Sequence, residues 1–300
     1  MSGIVISSGV TSSGLLIGSG ETLTVLSGGT ALATGDSGGA VIISSGGYAS
    51  GGEVSLYGIA QILAGGTAVG LDVASDGNEF DYGLDSGGTI YGAQAVTDGG
   101  NAVDDSIMSG AEELVTLSGL TSGSVIFGGG TEAVSSGASA LSTTINSGGV
   151  VEVSDFGAAF ATTVNAGGTL LLSNGTAYNS IVTGSAAEFV ILGGKASGGS
   201  VSDGADAQMT ATAATHLILD SGSEISASNS VIQDMVVLSG GSMWLYGNSV
   251  ESGTVISSGG VQWVSGGTTS GNYIYMAPRQ SQDLQPGWSP TQSYPEGPSS

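Results

Sequence analysis

The repeating unit of this chain reads Asn-Ser-Gly-Gly-Val-Val-Glu-Val at residues 146–153 and returns as Asn-Ala-Gly-Gly-Thr-Leu-Leu-Leu at residues 165–172. The first glycine of the unit recurs at nearly even intervals, at Gly110, Gly129, Gly148, Gly167, Gly184, Gly204, Gly222, Gly240 and Gly259. A similar spacing runs earlier through Gly20, Gly38, Gly58 and Gly77. A period of about 20 residues, held over most of a chain, is typical of a solenoid whose coils stack on one another.

Each repeat contains two short runs with β-strand character. In residues 21–25 apolar and polar side chains alternate, with Leu23 and Val25 on one face. Such alternation between Gly and Ser turns predicts half-buried strands, and glycine this dense would break a helix. The sequence therefore predicts an all-β protein, a parallel β-solenoid of about 13 coils. At about 4.8 Å for each coil, the rod would be on the order of 60 Å long.

Composition agrees with a folded repeat protein. Glycine accounts for 56 of the 300 residues, without a collagen-like Gly-X-Y period. Apolar residues make up 40% and the mean hydropathy is +0.30, which argues against disorder. Glycine inside a strand costs about 0.5–1 kcal/mol relative to alanine, so most glycines are expected at corners where φ is positive.

The charge excludes several classes of partner. The formal net charge is −23, and the basic residues are Lys195, Arg279 and the single His216. Binding of nucleic acid, or of an anionic membrane surface, needs clustered Lys and Arg. There is no cysteine, no apolar run long enough to span a bilayer, and no basic region or long apolar segment at the start. These features predict no thiolate chemistry, no membrane-spanning helix and no conventional signal peptide.

The chain divides into three parts. Residues 1–19 are predicted to form an atypical N-terminal cap coil, and residues 20–271 carry the repeats. Residues 272–300 contain all five prolines and predict an extended or disordered tail. Equivalent side chains should stack between coils, so Asn146 and Asn165 either form an amide ladder or merely tolerate the turn backbone.

The repeat slips between Gly77 and Gly110, where either a coil is shortened or a loop projects. Ten of the 25 acids surround this slip: Asp72, Asp76, Glu79, Asp81, Asp85, Asp98, Asp104, Asp105, Glu112 and Glu113. Clustered oxygens could bind Ca²⁺, but no Gly-Gly-x-Gly-x-Asp repeat is present. We favour solvating charge on a loop, and predict no metal site.

No catalytic or cofactor-binding residues are predicted. Asp104 and Asp105 could suggest the carboxylate pair of a glycoside hydrolase, but the chain has too few basic residues to hold an acidic polysaccharide. His216 has no second His or Cys nearby in sequence, so it is expected on the surface or in a turn.

Trp244 and Trp263 lie one coil apart in the sequence. Both align with Thr24, whose side chain faces outward in the predicted strand. Stacked indoles would form an exposed aromatic strip, a possible surface contact for sugar rings or for a second rod. The alternative, which we favour, is that Trp288 or Tyr275 from the tail covers them.

The units at residues 27–31, 44–51 and 265–271, built on Ser-Gly-Gly, resemble the AIDA-type repeat of bacterial autotransporter adhesins over roughly residues 1–271. That resemblance implies a right-handed parallel β-helix outside a Gram-negative cell, acting in adhesion or self-association, with sugars attached to serines or threonines. The opening residues 1–10 also look like the N-terminal repeat region of alphaproteobacterial hedgehog/intein-domain proteins. Within residues 1–300 the sequence predicts no translocator barrel and offers no cysteine nucleophile for self-processing.

Together these features predict a non-enzymatic repeat protein, secreted or at the bacterial surface, that mediates adhesion, aggregation or matrix formation. Its partners would be cell-surface or matrix glycans or proteins, or further copies of itself, with no nucleic acid and no membrane insertion. One alternative is a stalk that displays a missing C-terminal domain. Another is a polysaccharide-active β-helix enzyme. No cofactor is predicted.

Overall fold

A computed structural model describes residues 2–275, with the backbone alone for Ser2. These residues form a parallel β-solenoid of about 14 turns, which confirms the predicted fold class. No α-helix occurs between residues 2 and 275, so this part of the chain has no helix long and apolar enough to cross a membrane. At about 4.8 Å for each turn, 14 turns extend about 67 Å.

One strand of each coil belongs to a 15-stranded sheet, here called the first wall. Its strands are Ser2–Ile6, Glu21–Val25, Ala40–Ile43, Ile59–Ile62, Asn78–Asp81, Ala93–Val96, Glu112–Val115, Thr131–Val134, Val150–Ser154, Thr169–Ser173, Glu188–Leu192, Asp206–Thr210, Glu224–Ser228, Ser242–Tyr246 and Val261–Ser265.

The remaining 26 strands form a second sheet, whose two rows are here called the second and third walls. The second wall contains Thr11–Ser13, Thr67–Val69, Leu84–Ser86, Asn101–Val103, Leu120–Ser122, Ser139–Leu141, Ala158–Phe160, Ala213–Thr215, Val231–Gln233, Val250–Ser252 and Thr268–Ser270. The third wall contains Leu16–Gly18, Asp72–Val73, Thr89–Ile90, Ser106–Ile107, Val125–Ile126, Thr144–Ile145, Thr163–Val164, Ile218–Leu219, Val236–Val237, Val255–Ile256 and Tyr273–Ile274. Four strands run through both walls: Thr30–Ser37, Tyr48–Ser55, Thr176–Thr183 and Lys195–Ser202.

Every coil stacks on the next in parallel register. Val150 pairs with Thr169 and Val153 with Leu172, so equivalent residues of successive repeats are strand partners. The predicted amide ladder forms in this register, because the Asn165 side-chain Nδ2 donates to Asn146 Oδ1 over 3.0 Å. Each side chain therefore meets its own equivalent in the neighbouring coil.

The paired glycines are required for two different reasons. Gly148 has a φ of +78°, a conformation that side chains with a Cβ adopt at a cost. Gly149 has no such φ, but a Cβ there would lie 2.8 Å from the carbonyl oxygen of Ile126 in the preceding coil. The sequence had explained the glycines by positive φ alone, whereas close approach between coils accounts for the second glycine.

The third wall supplies the most regular part of the core. Its inward positions place Ile90, Ile107, Ile126 and Ile145 directly over one another, all fully buried. β-branched side chains pack well on such pleated surfaces. The apolar core is nevertheless divided into two clusters, one ending at Leu71 and the other beginning at Val73.

The ends of the array are also described in part. Residues 2–18, predicted as an atypical cap coil, form three strands that pair in register with the next coil. At the other end, Tyr273 pairs with Val255, so strand pairing continues past the predicted boundary at residue 271. The predicted disordered tail lies outside the described residues from position 276 onward, as does Trp288.

Replacing Gly149 by alanine should destabilise the solenoid, because the new Cβ must displace the Ile126 carbonyl on which it would lie. We expect a loss of about 1–3 kcal/mol, typical of overpacking. The measurement is denaturant unfolding followed by far-UV circular dichroism. Gly3→Ala is the control, since a Cβ there meets nothing within 4 Å. Equal unfolding midpoints for the two variants would contradict the close-approach explanation.

Candidate functional site

The slip in the repeat is a shortened coil. Asn78 pairs with Ala93, and Ala93 pairs in turn with Glu112, so the coil that begins at Asn78 is shorter than the regular coil that follows it. In that regular coil, residues 93–111, four-residue turns follow Val96 and Ile107. In the short coil these turns shrink to Tyr82-Gly83 and Tyr91-Gly92, so two residues are lost at each corner. Between the two alternatives, the structure selects the shortened coil over the projecting loop.

The interior of the short coil and its neighbours is acidic. Six carboxylate side chains point inward and are buried, with at most 1% of their surface exposed: Glu79, Asp81, Asp85, Asp105, Glu113 and Glu132. All of them except Glu132 belong to the ten acids around the slip. For these five, the prediction of solvating charge on a loop is therefore wrong. Five of the six acids are inside because they occupy inward positions of strands, whereas Asp105 lies between two strands, directly after the bend at Asp104.

The first wall carries a continuous polar column through this region. Glu79 pairs with Gln94, Gln94 with Glu113, and Glu113 with Glu132. The same column is apolar on both sides, with Ala60 before Glu79 and Val151 after Glu132. The polar column thus begins at the break between the two apolar clusters and extends into the second of them.

One amide group holds several of these carboxylates. The Gln94 side-chain Nε2 donates to Asp81 Oδ2 at 2.9 Å, to Asp105 Oδ2 at 3.1 Å and to Asp85 Oδ2 at 3.3 Å. Asp105 Oδ1 also accepts from the backbone N–H of Gly88 at 2.8 Å. An amide NH₂ has only two protons, so it cannot fully satisfy three carboxylates at once.

Burial disfavours ionisation of this cluster. Removal from water raises the pKa of Glu79 well above its ordinary value, and the neighbouring charges of Asp85 and Asp81 raise it further. The pKa of Glu113 is raised well above its usual range by burial first, and then by Glu132 and Asp105. At Glu132 burial also raises the pKa, opposed by the hydroxyl of Thr121, which donates to Oε1.

The two residues weighed as a catalytic pair are separated by the backbone. Asp104 is exposed in the bend with a φ of +60°, whereas Asp105 is fully buried. The two carboxylates therefore face opposite sides of the wall and cannot flank one glycosidic bond. His216 lies in a bend with a φ of +57° and 67% of its side chain exposed, 3.8 Å from Asp234 Oδ2. It occupies the surface turn that the sequence predicted.

The structure places Trp244 and Trp263 together on the outer face of the first wall. They pair in register, and their rings stack with centroids 5.2 Å apart and planes 10° from parallel. Tyr246 stacks on Trp244 at 6.5 Å. Trp263 keeps 52% of its surface exposed among residues 2–275. Of the two tail residues expected to cover them, Trp288 lies outside the described range, and Tyr275 follows the last strand of the third wall with 64% of its surface exposed.

A longer apolar line runs along the same outer face. The outward column of the first wall, here called the outer stripe, consists of Val5, Thr24, Ile42, Gln61, Phe80, Ala95, Leu114, Ala133, Glu152, Leu171, Val190, Gln208, Ser226, Trp244 and Trp263. Ten of these fifteen residues are apolar. Val5, Leu114 and Trp263 are exposed by 59%, 39% and 52%. The sequence analysis singled out only the two tryptophans at the end of this stripe.

A second aromatic stack was also missed. Phe160 and Tyr178 pair across neighbouring coils of the second wall, with ring centroids 5.0 Å apart. Each keeps 38% of its surface exposed. The signal was present, because the two residues are one coil apart in sequence, like the tryptophans.

No family model and no curated protein matches this chain. Among solved structures, the chain is similar to the crystal structure of a hyper-glycosylated TibA fragment whose glycosylation TibC catalysed. The TM-score is 0.83 and the sequence identity 27%, over 87% of this chain and 99% of the fragment. The similarity agrees with the solenoid fold predicted from the repeats.

The buried acids predict an unusual pH dependence, which Glu113→Gln should reveal. The folded chain holds the Glu113 proton more tightly than the unfolded chain, whose carboxyl has a pKa near 4.5. Wild-type stability should therefore fall as pH rises above 4.5, and the variant should lose part of this slope. At neutral pH the variant should be more stable than the wild type. The gain is about 1.4 kcal/mol for each tenfold difference in the proton affinity of Glu113 between the folded and the unfolded wild-type chain.

This dependence is measured by denaturant unfolding at pH 4 and pH 7 with a chelator present, so that no cation competes with protons. Asp81, Asp105 and Glu132 face Glu113. These three acids are present in the wild type and in the variant, so they contribute to the slope of stability against pH in both. Glu112→Gln is the matched control, because Glu112 is the preceding residue and is exposed on the outer face. The same response in both variants would show that general surface repulsion, and not burial, causes the slope.

Proposed function

We propose that this chain is a non-enzymatic bacterial repeat protein, secreted or displayed at the cell surface, that acts in adhesion, aggregation or matrix formation. The observation that carries the proposal is the outer stripe, in which ten of fifteen outward residues are apolar and Trp244 and Trp263 stack at one end. Apolar and aromatic side chains gathered on one outer face are typical of surfaces that contact a partner. The AIDA-type Ser-Gly-Gly units and the similarity to the TibA fragment support the same assignment.

The form of the surface favours many weak contacts over one deep site. Outward positions repeat once per coil, so a partner with its own repeat can engage several coils together. Linked contacts of this kind raise the overall affinity far above that of any single contact. A shallow depression on the stripe, lined in part by Phe80, Ala95 and Leu114, has a volume of about 120 Å³. That is smaller than the ~300–1,000 Å³ of typical small-molecule sites.

Two classes of partner suit the stripe. Aromatic faces such as those of Trp244 and Trp263 bind the apolar faces of sugar rings, which favours cell-surface or matrix glycans. The apolar stripe also suits another apolar surface, including the stripe of a second copy. The proposal includes sugars attached to outward hydroxyls, for which residues such as Thr131 and Thr169 on the first wall are examples; the TibA fragment is likewise hyper-glycosylated.

The proposal is tested by coating latex beads with the purified chain and following bead clumping, and bead binding to bacterial cells, by light scattering. The wild-type chain should clump or bind. The double variant Trp244→Ser and Trp263→Ser should lose most of this activity, because it removes the largest aromatic surface of the stripe.

The matched control removes two aromatic residues from corners instead. Tyr57 and Phe156 are 79% and 89% exposed, and they lie away from the outer stripe. Tyr57→Ser with Phe156→Ser should leave clumping unchanged. Equal losses in both double variants would indicate unspecific stickiness. Inert wild-type beads would favour the display stalk, in which the solenoid projects another domain.

A further inference from the structure

Among residues 2–275, no basic side chain lies in the short coil to neutralise its carboxylates. Glu79, Asp81 and Asp85 are buried there, and the chain has no Lys, Arg or His before Lys195. The ion pair formed by His216 with Asp234 lies in a later part of the array. Buried charges are normally paired or bound to a metal. Neutralisation in the short coil must therefore come from protons or from a cation taken from solution.

The three carboxylates have the geometry of a single-ion site. One oxygen from each of Glu79, Asp81 and Asp85 lies within 4.8 Å of the corresponding oxygens of the other two. Calcium binds oxygen ligands at about 2.3–2.6 Å, so two ligands of one ion are at most about 5 Å apart. The three oxygens are therefore close enough together to be ligands of one ion.

An independent observation concerns unsatisfied polar atoms. Both carboxylate oxygens of Glu79 lack a hydrogen-bond partner, although only 1% of this residue is exposed. Oδ1 of Asp81, Oδ1 of Asp85 and Oε1 of Gln94 are also buried without partners. The Gln94 NH₂ group binds the opposite oxygens of both aspartates. This group therefore orients the aspartates, while the other oxygen of each aspartate has no donor.

We propose that Glu79, Asp81 and Asp85 bind one Ca²⁺ inside the short coil, with Gln94 positioning the two aspartates. The available ligands are carboxylate and amide oxygens, which suit hard cations. Zinc and copper prefer the imidazole and thiolate groups that this region lacks. Calcium tolerates irregular coordination by six to eight oxygens, whereas Mg²⁺ requires near-octahedral geometry and retains water.

The site lies where the apolar core is interrupted. The cluster that ends at Leu71 and the one that begins at Val73 meet at the coil before Glu79. A cation there would replace repulsion between carboxylates by ionic contacts within the short coil. Binding to the folded chain alone would raise the stability of the array by mass action.

The test measures calcium in the full chain after chelator treatment and re-equilibration with about 1 mM CaCl₂, near the affinity range of extracellular calcium modules. The buffer contains about 150 mM NaCl to suppress loose binding to the acidic surface. Elemental analysis after gel filtration in the same CaCl₂ buffer should find one Ca²⁺ per chain above the calcium content of the buffer. The melting temperature should rise in CaCl₂ by several degrees over its value in EDTA, and by less in MgCl₂.

The variant is Glu79→Gln, which keeps the side-chain size and removes one charge. It should weaken Ca²⁺ binding by about tenfold or more and abolish the shift in melting temperature. Two controls make the same chemical change elsewhere. Glu112→Gln alters an exposed outer position, and Glu132→Gln alters a buried carboxyl bonded to Thr121. Both should retain one tightly bound Ca²⁺.

Several outcomes would overturn the proposal. The wild-type chain could bind no calcium and melt at the same temperature in CaCl₂ and in EDTA. That result would mean that protons neutralise the cluster. Retention of calcium by Glu79→Gln would place the ion elsewhere, as would its loss from Glu112→Gln. A larger shift in MgCl₂ than in CaCl₂ would reject calcium as the ion. A Glu79→Gln chain that misfolds is assessed through Asp81→Asn, for which the same loss of calcium is expected.

Discussion

Backbone hydrogen bonds between successive coils are the constraint on which this structure depends. The amide of Thr169 donates to the carbonyl of Gly149 at 3.1 Å, and that of Asn165 to Ile145 at 2.9 Å. These bonds fix the register, so each residue lies over its equivalent in the next coil. They also bring the coils so close at the corners that a second glycine is needed where φ does not demand one. The spacing of the glycines is thus a consequence of the ladder.

The same register makes every side chain the neighbour of its own equivalent. Stacking benefits side chains that attract one another, such as the amides of Asn146 and Asn165 or the indoles of Trp244 and Trp263. It is unfavourable for carboxylates, because Glu113 directly follows Gln94 and precedes Glu132 in a buried column. Like charges placed opposite one another on a sheet repel. The acidic column therefore requires protons or a counter-ion, whereas the aromatic columns are stable as they stand.

Much of the fold could be predicted because the glycine spacing states the period directly. The stacking of Trp244 on Trp263 followed from the same spacing, and the stack of Phe160 on Tyr178 could have been found that way. The burial of Glu79 and Asp81 could not be predicted from the sequence, because alternation patterns assign carboxylates to the solvent face. The sequence left open whether the slip is a short coil or a loop, because Tyr82-Gly83 and Tyr91-Gly92 replace the paired-glycine turns that mark the regular corners. The acidic cluster became visible only when three-dimensional packing placed those strands inside.

The uniform register has an evolutionary corollary. A segment such as residues 150–168 begins and ends at equivalent points of the first wall, since Val150 pairs with Thr169. An in-frame duplication or deletion of that segment joins matching ends, and every ladder and side-chain column is preserved. Genetic recombination between repeats can therefore lengthen or shorten the rod in increments of about 4.8 Å without refashioning any interface. The length of the rod becomes a heritable trait that varies separately from the chemistry of the walls.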